Sequence, residues 1–124
     1  MIDVEQVARV AVADMPRHTV VVTVGVRMDI FNAPSLMTQF NALLDQGATY
    51  FIVDLSAVRI VDADGDYPLL HLLKCAQEVD GGVTLVCPVG NPIRVFYEMM
   101  RLDTLFEMAE TLEVAFTDLG LSPE

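Results

Sequence analysis

The stretch Tyr50-Phe51-Ile52-Val53-Asp54-Leu55-Ser56-Ala57-Val58-Arg59-Ile60-Val61-Asp62-Ala63-Asp64-Gly65-Asp66 decides how the rest of the chain is read. Tyr50 to Leu55 is almost continuously apolar, the composition of a strand covered on both faces. Val58 to Val61 is apolar again. Asp62-Ala63-Asp64-Gly65-Asp66 then sets carboxylates around a glycine, and a helical pattern follows at once. A strand-loop-helix junction of this kind brings backbone N–H groups and a helix N-terminus to the surface. Such junctions bind anions or partners. This one supplies its own carboxylates and contains no serine or threonine, so it must act without a hydroxyl.

Outward from that stretch, apolar strands alternate with helical patterns. Val7 to Val12 reads as a short edge strand, and Met15 to His18 as a turn. Thr19 to Met28 alternates, with Val20, Val22, Val24, Val26 and Met28 on one side and Thr19, Thr23, Gly25 and Arg27 on the other. Asp29 to Asn32 is a loop. Asn32 can cap a helix, with Pro34 in its first turn, Leu36, Phe40, Leu43 and Leu44 inward, and Gly47 as its stop. After Gly65, Leu69, Leu70, Leu72, Leu73 and Ala76 form an apolar stripe, and Pro68 sets the helix start near Asp64 or Gly65. Val83 to Cys87 is a buried strand. Asn91-Pro92 opens a helix with Ile93, Phe96, Met99 and Met100 inward. Leu105 to Met108 is a last short strand, and Thr111 caps a helix ending near Leu119. Alternation of this kind predicts an α/β fold: one domain over residues 1–124, core about 8–119, with a mixed sheet of about four or five strands and about four helices mainly on one side. The first two strands should be antiparallel, and the strands at Leu55 and Val83 should be neighbours through a right-handed crossover.

The totals narrow the function. A chain of 124 residues that is 53% hydrophobic can bury a core of its own. No apolar run reaches the roughly 20 residues that span a bilayer, and the acidic start Met1-Ile2-Asp3-Val4-Glu5 is unlike a signal peptide. A cytoplasmic location is expected. The formal net charge is −11, and Lys74 is the only lysine. That balance repels nucleic acid and anionic membrane and fits solubility or a basic protein partner.

The acidic junction has three readings. A calcium loop counted from Asp62 would place Tyr67 where glycine is needed and Leu73 where the bidentate acid is needed, so it fails. Asp-x-Asp-Gly after a strand resembles the first motif of haloacid-dehalogenase-type phosphotransferases, with Asp62 as nucleophile and Asp64 as acid/base. The chain lacks their cationic clamp and later acidic metal site, and it is too short after the motif. Neither a metal nor a cofactor is expected, nor enzyme activity. The third reading is a recognition surface, with Asp64 or Asp66 also serving as a helix cap.

The order of motifs resembles the STAS family, which includes bacterial anti-sigma factor antagonists. Met28-Asp29-Ile30-Phe31-Asn32-Ala33-Pro34-Ser35-Leu36 is similar to the family's Leu-Asp-x-x-Thr/Asn-Ala-Pro-x-Leu segment. Ile52 to Val58 and Ile60-Val61-Asp62 resemble its strand into an Asp-Ser-Ser-Gly turn. Gly81 to Val86 and Leu102 to Phe106 match its Gly-Gly strand and Leu-x-x-Leu-Phe segment. The resemblance implies a STAS-like fold and a non-catalytic regulator that binds an anti-sigma factor, often a serine kinase that phosphorylates the turn. Ala63 stands at the phosphoacceptor-equivalent position and is not competent to accept phosphate. Asp64 stands at the second serine, and Asp66 replaces a leucine. Asp64 carries about one charge against the roughly −1.5 to −2 of phosphoserine. The expected partner surface is Asp29, Asn32, Asp62, Ala63, Asp64, Gly65 and Asp66, and switching by phosphorylation in that turn is not expected. The alternative is a stand-alone STAS subunit of a membrane transport assembly, docking on a transporter subunit.

Cys75 and Cys87 lack metal spacing with His18 or His71. They read as buried small apolar groups, with a redox pair as the alternative. Ile30, Phe31 and Tyr67 either form a homodimer face or pack inward. No Gly-rich phosphate loop is present, which leaves nucleotide binding without a motif.

Overall fold

The computed structural model describes residues 8–12 and 19–118. The expected turn at Met15 to His18 and the residue Leu119 lie outside them. A five-stranded sheet has the order β1 (Ala8–Val12), β2 (Thr19–Val24), β4 (Tyr50–Asp54), β6 (Gly82–Val86), β7 (Glu107–Ala109). The pair β1–β2 is antiparallel and the other pairs are parallel. Strands β4 and β6 are neighbours, as the crossover rule requires. A separate two-stranded ribbon joins β3 (Arg27–Met28) to β5 (Ile60–Val61) in parallel.

Among the described residues four helices cover the sheet: α1 (Ala33–Asp45), α2 (Tyr67–Glu78), α3 (Pro92–Met99) and α4 (Leu112–Asp118). On one face Val20, Val22, Val24, Phe51, Val53, Val83 and Leu85 meet Leu36 and Phe40 of α1, Leu69 and Leu72 of α2, and Ile93 and Tyr97 of α3. On the other face Val21, Ile52 and Val86 meet Ala115 and Phe116 of α4. Three helices on one side and a short one on the other explain why β4 and β6 are apolar at successive positions.

Three local expectations are corrected. The alternation from Thr19 to Met28 is not one strand. The chain bends at Gly25-Val26, the Val26 carbonyl accepts from the N–H groups of Arg59 and Ile60, and Val26 points outward. A period-2 pattern continues through a bend that the backbone does not. Helix α2 starts at Tyr67, later than Pro68 alone indicated, because a 3₁₀ turn at Ala63–Asp66 precedes it. The inner face of α3 is Ile93 and Tyr97, with Phe96 part-buried and Met99 78% exposed. In the sequence Tyr97 does not stand out as a core residue, because a tyrosine is amphipathic.

Candidate functional site

The β3–β5 ribbon brings two loops together. Pairing of Arg27 with Ile60 and Met28 with Val61 sets the loop Asp29–Asn32 beside the turn Asp62–Asp66. Asp62 ties them. One of its carboxylate oxygens accepts from Gly65 N at 2.9 Å, and the other accepts from Ile30 N at 3.3 Å. Asp62 is therefore the cap of the 3₁₀ turn. Neither Asp64 nor Asp66 has that role, and Asp66 at the head of α2 makes no side-chain cap bond. Gly65 permits the contact: a Cβ there would lie 2.0 Å from the Met28 carbonyl oxygen.

The Asp29–Asn32 loop is held from inside. Asn32 Oδ1 accepts from Asp29 N at 2.8 Å and its amide donates to the Arg27 carbonyl. Asn32 thus points back into the loop and makes no side-chain cap for α1, contrary to expectation. The Asp29 carboxylate accepts from Arg27 Nε at 2.8 Å and from Phe31 N at 3.0 Å. Burial pushes this carboxyl up, but the Arg27 guanidinium and the loop N–H groups outweigh burial and hold it below 3.8. The Arg27 guanidinium also lies 5.3 Å from the centroid of the Phe31 ring.

Seven residues singled out in the sequence therefore sit close together but at different depths. Asp64 is exposed and Asp62 is half-buried. Asp29, Asn32, Gly65 and Asp66 are buried and support the loops from beneath, so as drawn they present little surface to a partner. Ala63 opens the 3₁₀ turn. The other residues that face outward on these two loops and the start of α2 are mostly apolar, Ile30 (54% exposed), Phe31 (69%) and Tyr67 (64%), with Ile60 and Leu70 less so, and the Arg27 side chain beside Phe31 is exposed as well. For the first three the sequence leaves a dimer face or inward packing open, and the structure turns them outward.

Beneath the turn, Asp66 lies near Tyr97 of α3. Burial is the main cause that raises the Asp66 carboxyl to about 6. The Tyr97 hydroxyl opposes that rise and the Asp62 charge adds to it. Burial and the same carboxyl push the Tyr97 hydroxyl up. The two groups are close enough to shift each other's titration, yet among the described residues neither Asp66 Oδ1 nor Tyr97 Oη has a hydrogen-bond partner of good geometry. No sequence signal marked Tyr97 as a neighbour of the turn.

Cys75 and Cys87 are both free thiols. The structure does not bring them together. Cys75 lies near the end of α2, where Gly81 N donates to Ala76 O, and Cys87 follows the far end of β6. Six residues of extended chain between Gly81 and Cys87 span about 20 Å, beyond the roughly 7 Å Cα reach of a disulfide. Among the described residues no group of three potential metal-ligating side chains forms, and no helix is long and apolar enough to cross a membrane.

A mixed sheet, a β3–β5 ribbon and an acidic turn at the head of α2 are joined by a match of the STAS domain profile to residues 9–115. The chain belongs to the STAS family. No curated protein sequence matches it closely. Among solved STAS-like structures, a candidate anti-sigma factor antagonist of Thermotoga maritima aligns with TM-score 0.81 at 19% identity, over 94% of this chain and 97% of that one. An anti-sigma factor antagonist of Mycobacterium paratuberculosis aligns with TM-score 0.72 at 25% identity, over 91% and 92%. The Bacillus cell fate determinant SpoIIAA in its phosphorylated form aligns with TM-score 0.66 at 19% identity, over 90% and 98%. At these identities the first and third establish a shared STAS fold.

Proposed function

We propose that this STAS protein is a non-catalytic regulator of the anti-sigma factor antagonist type, acting by protein–protein recognition in the cytoplasm. The observation that carries the reading is the two-loop surface itself. Asp62 joins the loops, and they present Asp64 amid Ile30, Phe31 and Tyr67. Exposed aromatic and aliphatic side chains beside a carboxylate suit a partner with an apolar patch and a cation. Anti-sigma factor antagonists share the fold, and one of them has a phosphorylated form. Ala63 has no hydroxyl, so this chain would bind its partner without that switch. Asp29, Asn32, Gly65 and Asp66 would shape the surface, while Asp62 and Asp64 supply its charge.

The test is affinity capture of the tagged full chain from its own cells at low salt, with mass spectrometry of what accompanies it. The reading expects an anti-sigma factor or its kinase, lost when the bait is Asp64→Lys. Recovery of transporter subunits in place of a sigma regulator would move the function to a membrane transport assembly. A chain that captures only itself would make the same surface a homodimer face.

A further inference from the structure

Two buried polar atoms beneath the acidic turn have no hydrogen-bond partner among the described residues. They are Asp66 Oδ1, at the head of α2, and Tyr97 Oη, on the inner face of α3. A buried polar atom without a partner is costly. An ionised carboxylate only accepts, so it needs donors around it. Tyr97 could supply one, but the charge would stay buried beside the Asp62 carboxylate. A protonated Asp66 and the Tyr97 hydroxyl can instead satisfy each other, since each then both donates and accepts. One proton at this place removes both deficits.

Few other groups bear on Asp66. Burial raises its carboxyl to about 6, Tyr97 opposes the rise and Asp62 adds to it; no lysine or arginine is among the groups that shift it. Asp29 beside the turn is paired with Arg27. His71 of α2 faces Asn41, and the titratable side chain of α1, Asp45, is in its last turn. Arg94 of α3 donates to the Cys87 carbonyl, and Glu98 is exposed. Cys87, near Tyr97, stays a neutral thiol, pushed up to about 12 chiefly by burial.

The turn has no room to adjust by degrees. Asp66 ends the 3₁₀ turn, and Gly65 before it is pressed against the Met28 backbone. Asp62 holds Gly65 N and Ile30 N at the same time. To carry a charged Asp66 into water, the turn must lift off Met28 and release both amides together. Packed contacts of this kind switch between two states.

We propose that the Asp66–Tyr97 pair is a proton-gated latch on the two-loop surface. With the proton in place, the turn is closed against the Asp29–Asn32 loop. When the proton leaves to solvent, Asp66 turns outward, the 3₁₀ turn lifts, and Gly65 N and Ile30 N are freed. What the latch governs rests on the reading of these loops as a partner surface: acid would hold Asp64 and Tyr67 in place and so tighten the complex.

The test is amide hydrogen exchange of the free full chain by NMR, corrected for intrinsic rates. It needs no partner, so its failure is distinct from failure of the partner reading. A group whose value is raised in the closed form favours closure at low pH and loses that advantage as pH rises. The opening constant seen by Gly65 and Ile30 should therefore rise roughly thirtyfold between about pH 4.5 and about pH 7.5, for an Asp66 near 6 when closed and 3.8 when open. The rise should flatten above about 6, where the Asp66 carboxyl carbon has its midpoint. Both amides should be less protected than Val53 of β4, an amide expected to open only with the whole fold. Asp66→Asn should remove the pH dependence; if that variant does not fold, the wild-type profile and carboxyl midpoint still decide. A flat wild-type profile, a midpoint at the ordinary 3.8, protection equal to that of Val53, or a folded Asp66→Asn chain with the wild-type profile would each overturn the latch.

Discussion

Asp66 places a carboxyl where it has almost no solvent, at 3% exposure. Its ordinary value is 3.8 and in the fold it rises to about 6, chiefly through burial. The folded state therefore favours the neutral form. The stability this group contributes is complete below its unfolded value and is lost as pH rises through about 6. Urea denaturation of wild type and Asp66→Asn should show the difference shifting in favour of the asparagine variant between about pH 4 and about pH 7.5, by roughly 2–3 kcal/mol. A difference that does not change with pH would contradict the assignment. Tyr97 opposes the rise in Asp66, so Tyr97→Phe should move the Asp66 midpoint higher still, read from its carboxyl carbon by NMR. A lower midpoint would be the wrong sign. In the sequence Asp62, Asp64 and Asp66 look equivalent. Alternation in a turn does not encode depth, and Tyr97, which acts on the Asp66 carboxyl, comes from α3 about thirty residues later, a neighbour set by tertiary packing and not by local pattern.

The β3–β5 ribbon and the 3₁₀ turn act as one element because Gly65 and Asp62 let two backbones touch. Gly65→Ala would drive a methyl into the Met28 carbonyl oxygen, and we expect a loss of about 3 kcal/mol by urea denaturation, with the Ile30 amide losing its protection from exchange. A variant as stable as wild type would show that the close approach is easily relaxed. Asp62→Ala removes the acceptor for both Gly65 N and Ile30 N, and should cost about 1–2 kcal/mol, the usual range for a lost cap. The main elements were legible in advance: the buried strands β4 and β6 as apolar runs, α1 between Pro34 and Gly47, and the antiparallel start. The break at Gly25-Val26 was not, because valines continue the alternation through it. Nor was the inner face of α3, where methionines at helical spacing imitate a core stripe while α3 turns Tyr97 inward.

At the scale of the molecule, the sheet carries three helices on one face and α4 on the other, and the acidic turn leads from β5 into α2 with Gly65 and Asp66 buried beneath it. The family and fold were readable from the order of motifs, each modest alone, because that order is also the order of the strands and loops. The proposed binding surface was readable only in part. Its charges were visible, but its apolar half depends on Phe31 and Tyr67 pointing outward, which composition does not determine. With net charge −11, association with a basic partner should be fast at low salt and slow as ionic strength rises, mainly through the on-rate. Phe31→Ala should instead speed dissociation, costing about 1–2 kcal/mol of binding, and an unchanged off-rate would remove Phe31 from the interface. The most direct measurement is the affinity of the proposed anti-sigma partner for wild type and for Asp64→Lys, side by side with their thermal unfolding. The account predicts at least a roughly tenfold weaker complex, about 1.4 kcal/mol, with unfolding unchanged. Equal affinity for the two proteins would place the interface somewhere other than the acidic turn.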